Sequence, residues 1–217
     1  HELYFASLGG DGTKLTEARG ACLRLGHDDV ASIVAEAHGA LSGGDLKTYR
    51  KNKLALIWES ENGKDHRTYS YYALNREVTR MANIIKSMGI KKGDRVTIYM
   101  GRVPEIVFAM LACAKIGAIH SVVFGGFSVD SLQGRIEDSQ SKLVITCDGS
   151  FQNGKIVQLK SIVDDSLKRC PTVENVIVVK RVNNEVTMET GRDHWYHELV
   201  EQPIAEGRCE TAQTHAE

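Results

Sequence analysis

An α/β fold is predicted for this chain, a mostly parallel βαβ sheet with helices on both faces. Three observations predict it. From Lys53 onward, short apolar runs alternate with segments whose apolar residues recur at helical spacing. The apolar runs are near-continuous rather than strictly alternating, which suits strands covered on both sides. Gly, Pro, Asp and Asn punctuate the junctions.

Taken in order, residues 1–45 differ in texture from the rest, being rich in Gly, Ala and small polar residues. They read as an atypical N-terminal extension. Its first seven residues, HELYFAS, resemble a cleavable purification tag, and the extension is partly of such origin on that reading. A helix is predicted from Asp28 or Asp29 to Leu41, with Val30, Ile33, Val34 and Ala37 on one face and Gly43 as its stop.

Leu54–Trp58 is a predicted strand, Asn62-Gly63 a hairpin turn and Arg67–Tyr69 the returning strand. Ser70 caps a helix that ends at Gly89, with Leu74, Val78, Met81, Ile85 and Met88 as its buried stripe. Val96–Met100 is a strand. Pro104 opens a largely apolar helix to about Ile116, a position where proline is tolerated. Ile119–Phe124 is a strand, Ser128 starts a helix to about Asp138, and Leu143–Thr146 is a strand followed by an Asp148-Gly149 turn. A helix is predicted over Ile156–Arg169, a strand over Asn175–Val179 and a short helix over Asp193–Val200. The α/β domain thus runs over residues 46–200. Residues 201–217 read as a polar tail, expected to be disordered.

Composition excludes several functions. The 27 Lys and Arg nearly balance the 28 Asp and Glu, leaving a net charge of −1. No basic field favours nucleic acid or an anionic membrane. No apolar run reaches the roughly 20 residues that span a bilayer. The five cysteines, Cys22, Cys113, Cys147, Cys170 and Cys209, form no Cys-x-x-Cys. A reducing, cytoplasmic setting is expected.

The most unusual local stretch is Ser121-Val122-Val123-Phe124-Gly125-Gly126-Phe127-Ser128. A strand runs through a glycine pair into a helix N-terminus, where backbone N–H groups are unpaired. From spacing alone this is more simply a tight turn that needs positive φ, with ligand contact as the alternative. Lys155, after Asn153-Gly154, reads alone as a surface lysine, although it could reach a phosphate. His194-x-x-His197 falls on a predicted helix without further ligands grouped nearby, so no metal site is assigned. His120 reads as a core or rim histidine, and Asp164-Asp165 as a solvated helix face.

Several segments together resemble the acetyl-CoA synthetases, the AMP-forming acetate–CoA ligases. They are Leu54–Glu59, Lys92-Gly93-Asp94-Arg95-Val96, Pro104-Glu105 through Ala118, and above all His120–Ser128. Leu143–Asp148, Val173–Val179 and Gly191–Trp195 continue the likeness. It implies an N-terminal subdomain of the large adenylate-forming domain. It also implies a reaction in which acetate, ATP and CoA yield acetyl-CoA, AMP and pyrophosphate through acetyl-adenylate, with magnesium accompanying ATP.

By that resemblance Phe124, Gly125 and Gly126 line the approach of CoA. The family's Arg-x-Gly-Arg stretch, which meets the CoA nucleotide, aligns with Gln152-Asn153-Gly154-Lys155. Lysine keeps the charge but lacks the planar fork of arginine; Gln152 carries no charge. The phosphate loop, ribose aspartate and adenylation lysine are expected beyond Glu217. No catalytic residue is therefore assigned here, and the chain alone is expected to be inactive and to self-associate through exposed sheet edges. The alternatives are a non-catalytic CoA- or nucleotide-binding protein, or a ligase for propionate or another short-chain acid.

Overall fold

The computed structural model describes residues 53–61 and 63–213. The predicted helix ending at Leu41, the HELYFAS stretch, Asn62 and the last four residues lie outside the described residues.

The described chain divides into two units, with the boundary between Arg76 and Glu77. The first holds a hairpin. β1 (Leu54–Glu59) and β2 (His66–Ser70) are antiparallel, with Trp58 opposite Arg67. The Arg67 guanidinium lies 5.5 Å from the Trp58 ring centroid, a cation–π contact across the ladder. Ser60 closes the connection: its N–H donates to the Asp65 carbonyl and its Oγ accepts from the Asp65 N–H. Helix α1 (Tyr71–Ser87) starts here, and the Ser70 Oγ accepts from the Ala73 N–H as predicted for a cap.

The second unit contains the rest of α1 and the sheet. Val78, Met81, Ala82, Ile84 and Ile85 are its buried positions. They include the central three members of the predicted stripe. Five strands follow: β3 (Arg95–Met100), β4 (Ile119–Phe124), β5 (Leu143–Cys147), β8 (Asn175–Val179) and β9 (Asp193–Trp195). They lie in the order β4-β3-β5-β8-β9, and every pairing is parallel. The registers place Val122, Ile98, Ile145 and Ile177 in one row across four strands. The three isoleucines are fully buried, each contributing roughly 1.5–3 kcal/mol of apolar transfer.

The crossovers are helical. α2 (Pro104–Ile116) links β3 to β4, α3 (Val129–Ser139) links β4 to β5, and α4 (Leu159–Leu167) precedes β8. β3 to β4 steps one way along the sheet and β4 to β5 the other. Right-handed connections then put α2 on one face and α3 with α4 on the other. α3 and α4 touch, and the Ser166 hydroxyl joins them by donating to the Val129 carbonyl at 3.1 Å. Both faces are thus covered, which is why β3, β5 and β8 are buried along nearly their whole length. Among the described residues no helix is long and apolar enough to cross a membrane. Among the described residues β4 pairs only with β3 and forms one sheet edge, exposing Ile119, Val122 and Phe124.

Four expectations require correction. A second hairpin, β6 (Ser150–Gln152) with β7 (Lys155–Val157), occupies the start of the predicted Ile156 helix, so α4 begins only at Leu159. Asp193–Trp195 is the edge strand β9 rather than helix; only α5 (Tyr196–Val200) is helical. Residues 201–213 are placed rather than disordered. The Asn83 amide donates to the carbonyls of Ala205, Glu206 and Gly207, the Ala212 N–H donates to the Lys115 carbonyl, and Ala205 and Cys209 are buried.

The fourth concerns the Asp164-Asp165 pair, which is not one solvated face. Asp165 pairs with Lys168 at the surface, but Asp164 joins a network centred on the buried Lys160 and Asp193. The fully buried Lys160 Nζ contacts Asp164 at 2.6 Å and Asp193 at 2.7 Å and donates to the Thr187 carbonyl. Arg192 bridges Asp164, Asp193 and Glu189. This network ties α4 to the β9 edge. Burial pushes the Asp193 carboxyl upward. Hydrogen bonds from Arg192, Lys160 and the Glu189 N–H outweigh it and hold the carboxyl below its usual value.

A lowered carboxyl pKa stabilises the fold above the unfolded value, about 3.9, and that contribution is lost as pH falls through the folded value. Asp193→Asn is expected to cost about 3 kcal/mol near neutrality, because Lys160 loses a buried partner. It should also flatten the loss of stability below about pH 4. Urea melts between pH 7 and pH 3 measure both; parallel acid limbs in the two proteins would show that Asp193 does not carry the dependence.

Candidate functional site

In a parallel sheet, ligands meet the chain outside the carboxyl ends of the strands, at the point where strand order reverses. Here that point lies between β3 and β5, because the chain steps from β3 out to β4 and returns to β5 on the other side. The segments there are Met100-Gly101-Arg102 after β3, Phe124-Gly125-Gly126 after β4, Asp148-Gly149 after β5 and Lys180-Arg181 after β8.

Neither Gly125 nor Gly126 has positive φ, so the turn does not need glycine for its backbone angles. It needs glycine for space. A Cβ at Gly125 would lie 2.9 Å from the Met100 carbonyl oxygen. One at Gly126 would lie 2.7 Å from Phe124 Cε1 and 3.3 Å from Gln152 Nε2. The Phe127 N–H donates back to the Phe124 carbonyl, and the Ser128 Oγ caps α3 by accepting from the Ser131 N–H. The Phe124 ring stands 57% exposed and meets Phe127 edge-on at 6.1 Å. The Tyr99 hydroxyl donates to the Phe127 carbonyl at 2.9 Å and anchors the segment to β3.

The β6–β7 hairpin brings in the other two predicted residues. Asn153 (φ 49) and Gly154 (φ 75) both adopt left-handed angles, as a type I′ turn requires. Gln152 and Lys155 flank that turn as a cross-strand pair, and Lys155 is exposed. The Gln152 amide lies over Gly126. The structure therefore gathers Phe124, Gly125, Gly126 and Gln152 at one place and puts Lys155 across the same turn.

Sequence reasoning missed the other cations of this rim. Arg102 follows β3, while Lys180 and Arg181 follow β8. The Lys180 Nζ lies 4.9 Å over the Trp195 ring, and the Arg181 guanidinium lies 5.2 Å over Phe151 on the hairpin. A Lys-Arg pair directly after a buried apolar strand was the available signal.

The remaining candidates do not converge there. His194, on β9, faces the Asn175 Oδ1 at 3.1 Å, whereas His197 sits on α5 against Trp195. The pair straddles a strand–helix junction, so helical spacing does not apply to it. His120 is partly exposed on β4. Among the described residues no three His, Cys, Asp or Glu side chains group as a metal site. Burial pushes the Cys113 and Cys147 thiols up to about 12, as expected of core residues rather than nucleophiles. A separate hollow of about 300 Å³, bordered by Glu189, His194, Trp195 and Glu198, includes none of the predicted site residues.

The family described as AMP-binding enzyme matches residues 46–212. The acetyl-coenzyme A synthetase of Methanothrix thermoacetophila is 50% identical over 170 residues, covering 78% of this chain and 26% of that protein. That of Gemmatimonas aurantiaca is 54% identical over 159 residues, covering 70% and 24%. The chain spans about a quarter of the length of the curated relatives it matches. The solved acetoacetyl-CoA synthetase from Streptomyces lividans shares the fold, with a TM-score of 0.67 over 82% of this chain and 25% of that one, at 22% identity.

The close seating of the rim is testable with two glycines. A Cβ at Gly101 would fall 2.2 Å from the Ser150 Oγ, whereas one at Gly134, within α3, meets nothing within 4 Å. Gly101→Ala is expected to destabilise by about 1–3 kcal/mol, and Gly134→Ala to stabilise by about 0.5–1 kcal/mol. Equal effects in denaturant melts would contradict the seating.

Proposed function

The chain belongs to the AMP-binding enzyme family, and on that premise we propose that it is the N-terminal part of an acetate–CoA ligase. In this reading the whole enzyme converts acetate, ATP and CoA to acetyl-CoA, AMP and pyrophosphate through acetyl-adenylate. Two steps pose a problem of approach: the acetate carboxylate must reach the polyanionic ATP, forming acetyl-adenylate and releasing pyrophosphate, and the CoA thiol must then reach the acetyl-adenylate, taking the acetyl group and releasing AMP. This chain serves the second. The observation that carries the reading is the meeting of Phe124-Gly125-Gly126 with the Gln152–Lys155 turn at the carboxyl end of the sheet.

Each residue has a chemical part in that reading. Gly125 and Gly126 leave the backbone open to close approach. The exposed Phe124 ring offers an apolar face to a heteroaromatic or pantetheine group. The Lys155 ammonium, on an exposed turn, supplies a mobile positive charge for a phosphate. Gln152 contributes neutral hydrogen bonding where a guanidinium would add charge. Magnesium arrives with the phosphates of ATP. The described residues group no set of His, Cys, Asp or Glu ligands for it.

Calorimetry with CoA tests the reading. The chain is expected to bind CoA, and Lys155→Ala to weaken binding about tenfold, close to 1.4 kcal/mol. The expected loss is smaller at high salt, because the contact is an exposed charge. Absence of binding heat, or an unchanged affinity in the variant, would remove CoA from this face.

A further inference from the structure

We infer that Asp148 is a positioning residue, a buried carboxylate that clamps the loop after β8 onto the base of the β6–β7 hairpin and so holds Gln152 and Lys155 opposite Phe124-Gly125-Gly126. The proposal rests on the reading of that face as the CoA-binding side. Asp148 is fully buried directly after β5. Its Oδ1 accepts from the N–H groups of Gly149 at 2.7 Å, Arg181 at 2.8 Å and Val182 at 3.1 Å. Its Oδ2 accepts from the Asn183 N–H at 2.7 Å. Residues 181–183 thus aim three successive N–H groups at one anion, the arrangement of a backbone nest, with Asn183 at φ 57. The Asp148 main chain adds to the junction: its N–H donates to the Val179 carbonyl, and its carbonyl accepts from the Lys160 N–H at the start of α4.

The clamp reaches the hairpin by contact. A Cβ at Gly149 would lie 2.7 Å from Val182 Cγ2 and 3.0 Å from the Val157 carbonyl oxygen. The hairpin base is therefore gripped between the clamped loop and its own returning strand. Ser150 is seated on Gly101 on the other side. Arg181, whose main chain the carboxylate holds, lays its guanidinium over Phe151, the neighbour of Gln152. The Asn184 amide donates to Gln158 Oε1, just past the end of β7. An ionised carboxylate is acceptor-only. Asparagine at position 148 would turn an NH₂ toward one or more of these N–H donors, with almost no change in volume.

The test compares the full 217-residue chain with Asp148→Asn by amide hydrogen exchange and by CoA calorimetry. Exchange over residues 150–157 and 181–183 is expected to quicken about tenfold in the variant, while Val144 and Ile145 in the sheet keep their protection. CoA affinity is expected to fall about tenfold alongside. Unchanged exchange in the hairpin, or equal acceleration throughout the sheet, overturns the clamp. So does an affinity equal to that of the parent chain. If the parent chain itself binds no CoA, the reading of the face fails, whereas the exchange pattern still decides the clamp. Should Asp148→Asn not fold, Gly149→Ala is read in its place; its Cβ would wedge between Val182 Cγ2 and the Val157 carbonyl oxygen, and unchanged hairpin exchange in it overturns the proposal.

Discussion

Four main-chain N–H groups converge on the Asp148 carboxylate where the sheet is otherwise running out of hydrogen bonds. Each parallel strand ends there and turns into irregular chain, and irregular chain carries donors that must be satisfied once buried. A single acceptor-only side chain answers four of them. The loop after β8, the hairpin and the first turn of α4 are thereby tied to the end of β5. Glycine at positions 101, 125, 126 and 149 lets these segments approach one another at distances no Cβ would allow. The carboxyl rim is consequently a close-packed surface with few ways to rearrange. The two edges of the sheet differ in this respect. β9 is three residues long and is secured by the buried Lys160–Asp193–Arg192 network, whereas β4 exposes apolar side chains along its outer edge.

That rigidity bears on chemistry. Binding a flexible, multiply charged ligand costs ordering entropy, and a surface ordered beforehand reduces the cost. The rim presents an exposed aromatic ring, open backbone and cations on turns of fixed geometry. On the proposed reading, these would hold the nucleotide end of a long thiol ligand while its other end reaches elsewhere. On the same reading, Lys155 in place of a planar guanidinium, and a neutral Gln152 beside it, would make a phosphate contact less directional. Affinity in this chain should then depend on the apolar and backbone contacts more than on charge.

Much of the fold was legible because its strands obey simple rules. Buried parallel strands are continuous apolar runs, and Val96–Met100, Leu143–Thr146 and Asn175–Val179 were found on that basis. Ser70 and Ser128 marked helix starts through capping chemistry. The hairpin at Ser150–Val157 was missed for a physical reason: Ile156, Leu159 and Val163 share helical spacing, and this outweighed the Asn153-Gly154 turn signal. Yet Ile156 is paired with Phe151 and half exposed, while Leu159 and Val163 are buried. The packing of residues 201–213 was illegible because it depends on Asn83 and Lys115, about a hundred positions earlier in the chain. The site residues came from resemblance; spacing alone favoured a turn with positive φ at Gly125-Gly126, and the backbone there has none. Asp148 carried no signal beyond a turn, since a lone carboxylate after a strand is usually a turn residue, whereas Arg181 was marked only by the Lys-Arg pair that follows β8.

The most direct measurement is a CoA titration followed by amide chemical shifts in the isotopically labelled chain. The largest changes should fall on Phe124–Phe127 and on Gln152–Lys155 together, because one rigid rim presents both. Shifts absent from these two segments, or confined to the hollow beside Glu189, His194 and Glu198, would contradict a CoA-facing rim at the carboxyl end of this sheet.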